Sequence, residues 1–213
     1  MDECCSGKSS ALERLPARQA STLRIVLALN ATMFLAEFVA GLLAGSVALL
    51  ADSLDMLGGA LIYGFSLYVV GRSAQWKARA ALVKALVMAG FGIAVLGQLV
   101  HKLIAPAAPV AEAMGLVAAL ALAANALCFA LLWRHRADDI NMRSVWVCSR
   151  NDIAANLGVV LAAGAVWTTG TAWPDIAVGA LICALFLRSA YGVGREARVE
   201  LNLLQTTSRS HAP

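Results

Sequence analysis

Two pairs of side chains able to hold a metal stand at helical spacing in otherwise apolar sequence. Asp52 and Asp55 are three residues apart in the stretch 46–59, SVALLADSLDMLGG. Cys148 and Asp152 are four apart in the stretch 145–158, VWVCSRNDIAANLG. Residues three and four apart share one face of a helix. A carboxylate deep in a bilayer costs at least ~2.5–3.5 kcal/mol on the insertion scale, so it is kept only where it meets protein, water or an ion. Carboxylate with thiolate suits a divalent metal of borderline softness such as zinc, or a softer one such as cadmium. These ligands must lose their protons to bind, so protons compete with the metal. The pattern predicts a metal site between two helices, drawn from Asp55, Cys148, Asp152 and Asp52, and a carrier that exchanges metal for protons.

Six apolar segments must position these residues. The first, 23–44, carries Asn30 and Glu37, seven residues apart and so two turns along one face. Gly45 and Ser46 make a very short turn into a second helix that runs to about residue 70. Arg72, Lys77 and Arg79 follow in a loop. A third helix spans 80–104, and Pro106 and Pro109 mark the next turn. The fourth spans 113–133 and contains Asn125. A polar loop, 134–143, holds Asp138 and Asp139. The fifth spans 144–168, broken after it at Gly170, and Pro174 suits the first turn of a sixth that runs to about residue 193. Roughly 20 apolar residues cross a bilayer, and each segment is long enough.

Composition agrees. Hydrophobic residues make up 60% of the 213 and charged ones 14%, against roughly 25% charged in an average soluble domain. The fold class expected is an all-α, polytopic membrane protein of six transmembrane helices. Its parts are a polar tail over 1–21, a membrane domain over 22–195 and a short tail over 196–213. No signal peptide is evident, because the first residues lack an apolar core and a small-residue cleavage site. With the N-terminus inside, every one of the 17 lysines and arginines except Lys102 falls in or beside an inner segment. The positive-inside rule therefore predicts both termini in the cytoplasm. The net charge of +4 serves topology and implies no nucleic-acid partner.

The residues from Asn30 through Glu37, Gly41 and Ser46 to Ala51-Asp52-Ser53 resemble the first two helices of the cation diffusion facilitator family of metal transporters. Asn151-Asp152 and Asn156-Leu157-Gly158 resemble its fifth. The resemblance covers about residues 23–195. It implies six helices with the N-terminus inside. It also implies a His or Asp followed by an Asp four residues later in both the second and the fifth helix, together holding a tetrahedral metal, usually zinc, exchanged for protons. Placed on that pattern, Asp55 is the first ligand of the second helix and Gly59 stands where the second is expected. Cys148 takes the first place in the fifth helix and Asp152 the second. One ligand is thus a thiol, which favours softer ions, and one is missing, with water or Asp52 to fill it. The family commonly ends in a cytoplasmic domain that dimerises and senses metal, whereas the short tail here is too small to bury a core.

The function expected is export of a divalent metal cation, zinc-like or cadmium-like, across a bacterial inner membrane. The partners are that cation, protons and lipid, with a homodimer the assembly the resemblance allows. No cofactor is expected apart from the transported ion. No nucleophile–base arrangement and no phosphate-cradling glycine loop argues for an enzyme. Gly59 keeps a second reading open, a non-transporting relative serving as a partner subunit or metal-responsive scaffold. A channel for another small solute, with the acids serving protons only, is a third. Asn30, Asn125 and Asn156 are either hydrogen-bond glue between helices or lining of the ion path. Cys128 and Cys183 read as packing residues, His101 and His135 as interfacial ones, and Cys4-Cys5 as either a loose soft-metal site or incidental thiols in a polar end.

Overall fold

A computed structural model describes the backbone over residues 17–69, 74–133 and 140–210, and side chains over 24–61, 64, 76, 78–131, 133 and 152–203. Cys4 and Cys5 lie outside the described residues, and so do the side chains of Cys148 and Arg150. Six helices follow in order: α1 Ala17–Ala44, α2 Val47–Val69, α3 Ala74–Ile104, α4 Ala111–Trp133, α5 Ile140–Thr169 and α6 Trp173–Ser210. Among the described residues there is no strand.

The turns follow from their residues. Gly45 and Gly170 both adopt φ of 65°, the left-handed conformation that ends helices and that glycine enters without strain. The amide of Gly170 closes α5 by donating to the carbonyl of Val166 at 2.8 Å. Several helices are longer than the hydropathy predicts; α1 begins at Ala17 and α5 at Ile140, ahead of the expected 23 and 144. α3 begins at Ala74, six residues early, so Lys77 and Arg79 belong to the helix and not to a loop. α6 continues to Ser210 rather than stopping near residue 193. The added segment holds Glu, Ala, Arg, Leu and Gln, all good helix formers, and no proline, so nothing local ends the helix. Polarity marks where a helix leaves apolar surroundings, not where it stops.

α2 is the innermost helix. Val47, Ala48, Leu49, Leu50, Ala51 and Leu54 are all nearly or wholly buried. It packs against α1, α3, α5 and α6, while α1, α4, α5, α6 and α3 touch in succession around it. The ring of helices closes between α1 and α3 through Phe34, Phe38 and Phe91, whose centroids lie 5.7–5.9 Å apart. α6 approaches α2 so closely at Gly179 that an added Cβ would lie 2.9 Å from the backbone of Val47 and Ala48.

The outward faces are apolar. Leu43, Ile104, Leu116, Leu161 and Leu181 are exposed, far more than a soluble surface tolerates. Five helices, all but α2, have described segments long and apolar enough to cross a membrane. Trp167 and Trp173 lie at one end of the bundle and Trp76 and Trp133 at the other, all exposed, as at the two interfaces of a bilayer. This is an all-α polytopic membrane protein.

Candidate metal site

Two polar clusters are buried in the bundle. The first is structural and fixes α2. Asp175, in the first turn of α6, is fully buried. Its carboxylate accepts hydrogen bonds from Ser46 Oγ at 2.6 Å, Val47 N at 3.0 Å, Ala48 N at 3.0 Å and Lys102 Nζ at 2.7 Å. Ser46 Oγ in turn accepts from Leu49 N at 3.1 Å. The first three amides of α2, which no helix can satisfy internally, thus find an acceptor. Lys102 also donates to the carbonyl of Gly45. One carboxylate therefore locks the start of α2 to α6 and to the end of α3. Sequence reasoning did not single out Asp175. An acid just after a proline reads as a cap for its own helix, and the signal that points elsewhere is Lys102, an apolar-segment lysine that needs an anion.

The second cluster lies deeper along α2 and contains the expected ligands. Asp52 is fully buried. Its Oδ1 accepts from Asn156 Nδ2 of α5 at 3.1 Å, and among the described residues its Oδ2 has no hydrogen-bond partner. Asn156 also donates to the backbone carbonyl of Asp152 at 3.1 Å, so the turn of α5 that carries Asp152 is pinned against Asp52. Glu37 of α1 is fully buried, and neither of its carboxyl oxygens has a partner among the described residues. Asp52 and Asp55, three residues apart, lie on about the same face of α2. Asp55 and Asp152 are partly buried.

The four expected ligands therefore stand as follows. Asp52 meets the Asp152–Asn156 turn across the α2–α5 contact. Asp55 lies on the same helix as Asp52, and Cys148 belongs to α5 with its side chain outside the described residues. Among the described residues, no three His, Cys, Asp or Glu side chains converge on one point. Two residues outside the expected set belong to the cluster. Asn156 bonds Asp52, and Glu37 brings two oxygens without partners among the described residues. Cys128 and Cys183 are buried, and the thiol of Cys183 reaches the carbonyl of Gly92 at 3.6 Å, a packing arrangement.

Buried groups of this kind are normally hydrogen-bonded. Buried carboxylate oxygens with no partner among the described residues call for a proton or a cation to offset their charge. The chain belongs to the family of the cation efflux transmembrane domain, which residues 23–202 match. It is 28% identical over 179 residues to the metal cation efflux system protein CzcD of Cupriavidus metallidurans, covering 78% of this chain and 57% of that protein. It is 28% identical over 192 residues to the zinc transporter ZitB of Yersinia pestis, covering 84% of this chain and 62% of the relative. With ZitB of Pectobacterium atrosepticum it shares 31% identity over 188 residues, covering 81% and 58% of the two chains. The chain thus spans about three-fifths of the length of these relatives.

Proposed function

We propose that this chain carries a divalent cation, zinc in the first instance, out of the cell across a bacterial inner membrane in exchange for protons. The observation that carries the reading is the set of carboxylate oxygens without partners among the described residues, Glu37 Oε1 and Oε2 and Asp52 Oδ2, on α1 and α2 of a cation-efflux domain. Asp55, Asp152 and Cys148 are the direct metal ligands on this reading. Glu37, Asp52 and Asn156 form the polar bed beneath them. Carboxylates emptied of metal take up protons, because an uncompensated charge costs too much in the membrane. Metal arriving from the cytoplasm displaces those protons.

The test is metal uptake in sealed vesicles holding the purified chain and an entrapped zinc-sensitive dye. Zinc should enter faster when an opposing proton gradient is imposed, and a protonophore should remove that acceleration. No metal movement above that of protein-free vesicles would overturn the proposal in favour of a non-transporting subunit.

Both termini are placed in the cytoplasm on the same reading. The basic residue that this orientation leaves outside, Lys102, is buried and paired with Asp175, so it adds little free charge to the outer surface. Reporter fusions after Ala108 and Thr171 should read outside, and fusions after Ala74 and Asp138 inside. Reversal at two of these four sites would overturn the orientation.

A further inference from the structure

Gly59 stands where the family pattern expects an aspartate, yet the space beside it is filled. A Cβ added at Gly59 would lie 2.6 Å from Asn30 Oδ1 of α1 and 3.2 Å from its Cγ. Two bonds of ordinary length put a carboxylate oxygen about 2.4 Å from its own Cβ. The oxygen of Asn30 therefore sits at the range from position 59 at which an aspartate there would hold its own oxygens. The side chain is aimed and not loose. Asn30 is 8% exposed, and its Nδ2 donates to the carbonyl of Val26 at 2.8 Å. That bond also fixes which amide atom is which. Turning the group over would set two acceptors against each other, so the oxygen must face Gly59. Asp55 lies one helical turn from Gly59 on the same face of α2, a rise of about 6 Å.

We infer that Asn30 supplies, from α1, the ligand oxygen that Gly59 cannot supply from α2. The inference rests on the proposed metal site between α2 and α5 and adds a third helix to it. The consequence is a ligand set one negative charge poorer than a carboxylate would give. A neutral amide carbonyl is also a harder donor than the thiol of Cys148. It accounts for Gly59 as well, because a larger residue there would displace the amide.

The experiment is zinc binding by titration calorimetry on the purified full-length chain in detergent, for five variants, with circular dichroism and thermal unfolding to confirm that each is folded. Asn30→Ala should weaken binding by at least about tenfold, one decade in Kd. Asn30→Asp should bind zinc at least as tightly as the parent. Aspartate keeps the oxygen but cannot donate to Val26, so a residue needed only for that hydrogen bond would lose by the same change. Gly59→Asp alone sets its carboxylate against the Asn30 oxygen and should gain nothing. The double variant Asn30→Ala with Gly59→Asp should recover binding to within about threefold of the parent, about half a decade, because the two positions share one place in space.

Unchanged binding in Asn30→Ala, or a double variant no better than Asn30→Ala, would overturn the inference. The fifth variant, Asp55→Ala, separates this failure from failure of the site itself. If Asp55→Ala loses zinc while Asn30→Ala does not, only the role of Asn30 falls. If Asp55→Ala binds like the parent, the site between α2 and α5 is wrong and the inference falls with it. Should Asn30→Ala fail to fold, Asn30→Leu, which fills nearly the same volume without an oxygen, is held to the same expectation.

Discussion

Replacing Asp55 or Asp152 with alanine should abolish metal uptake in vesicles, a fall of at least about 100-fold, since groups that merely support metal ligands are already worth 10–100-fold. The protein should still insert and fold. Both residues are only partly buried, so truncation opens no sealed cavity. Removing a carboxylate from a membrane segment also eases insertion, if it changes it at all, and lost activity could not be ascribed to burial cost. Neither variant should break the contact between α2 and α5. Asn156 binds the backbone carbonyl of Asp152 and not its side chain, so Asp152→Ala leaves the Asn156–Asp52 bond in place. Uptake by both variants at the parent rate would show that these carboxylates hold no transported ion.

Much of this could be read from the sequence because the bilayer leaves the chain few choices. Backbone polar groups without water must pair within a helix, so apolar length gives the helices, and glycine with proline gives the turns at Gly45 and Gly170. Carboxylates at Asp52 and Asp55 stand out for the same reason. What the sequence hid is whatever depends on a neighbouring helix. Spacing orders residues along α2 but does not say what fills the gap beside Gly59, and Asn30 is 29 positions away in the chain. It cannot tell that Asp175 caps α2 rather than α6, because that follows from how closely Gly179 lets the two helices meet. Hydropathy likewise lost α6 after residue 193, where the helix outlasts its apolar surroundings. Glu37 was visible as an intramembrane acid, but that no described residue partners it could be seen only once its surroundings were in place.

The largest loss of stability is expected at Asp175. Its carboxylate is fully buried and accepts from Ser46, Val47, Ala48 and Lys102. Asp175→Ala removes all four acceptor contacts at once and leaves the Lys102 ammonium buried with, among the described residues, the Gly45 carbonyl alone. Breaking a buried ion pair from one side costs about 3–5 kcal/mol, chiefly for the charge left behind. The free amides at the start of α2 then add the loss of a helix cap, about 1 kcal/mol. In detergent the midpoint of thermal unfolding should fall by roughly 10–20 °C, taking 2–4 °C per kcal/mol for a chain of this size. The split between charge and cap can be measured. Asp175→Ala combined with Lys102→Met removes the stranded ammonium and should recover more than half of the loss, whereas the Val47 and Ala48 amides stay uncapped in both variants. Asp175→Asn keeps one acceptor oxygen and should fall between parent and Asp175→Ala. Because the same carboxylate sets the register of α2, Asp52 and Asp55 should shift with it, and zinc binding should weaken in Asp175→Ala even at temperatures where the protein remains folded. An Asp175→Ala protein that melts within 2 °C of the parent, taken as less than about 1 kcal/mol, would show that the ion pair and cap do not hold α2 in place.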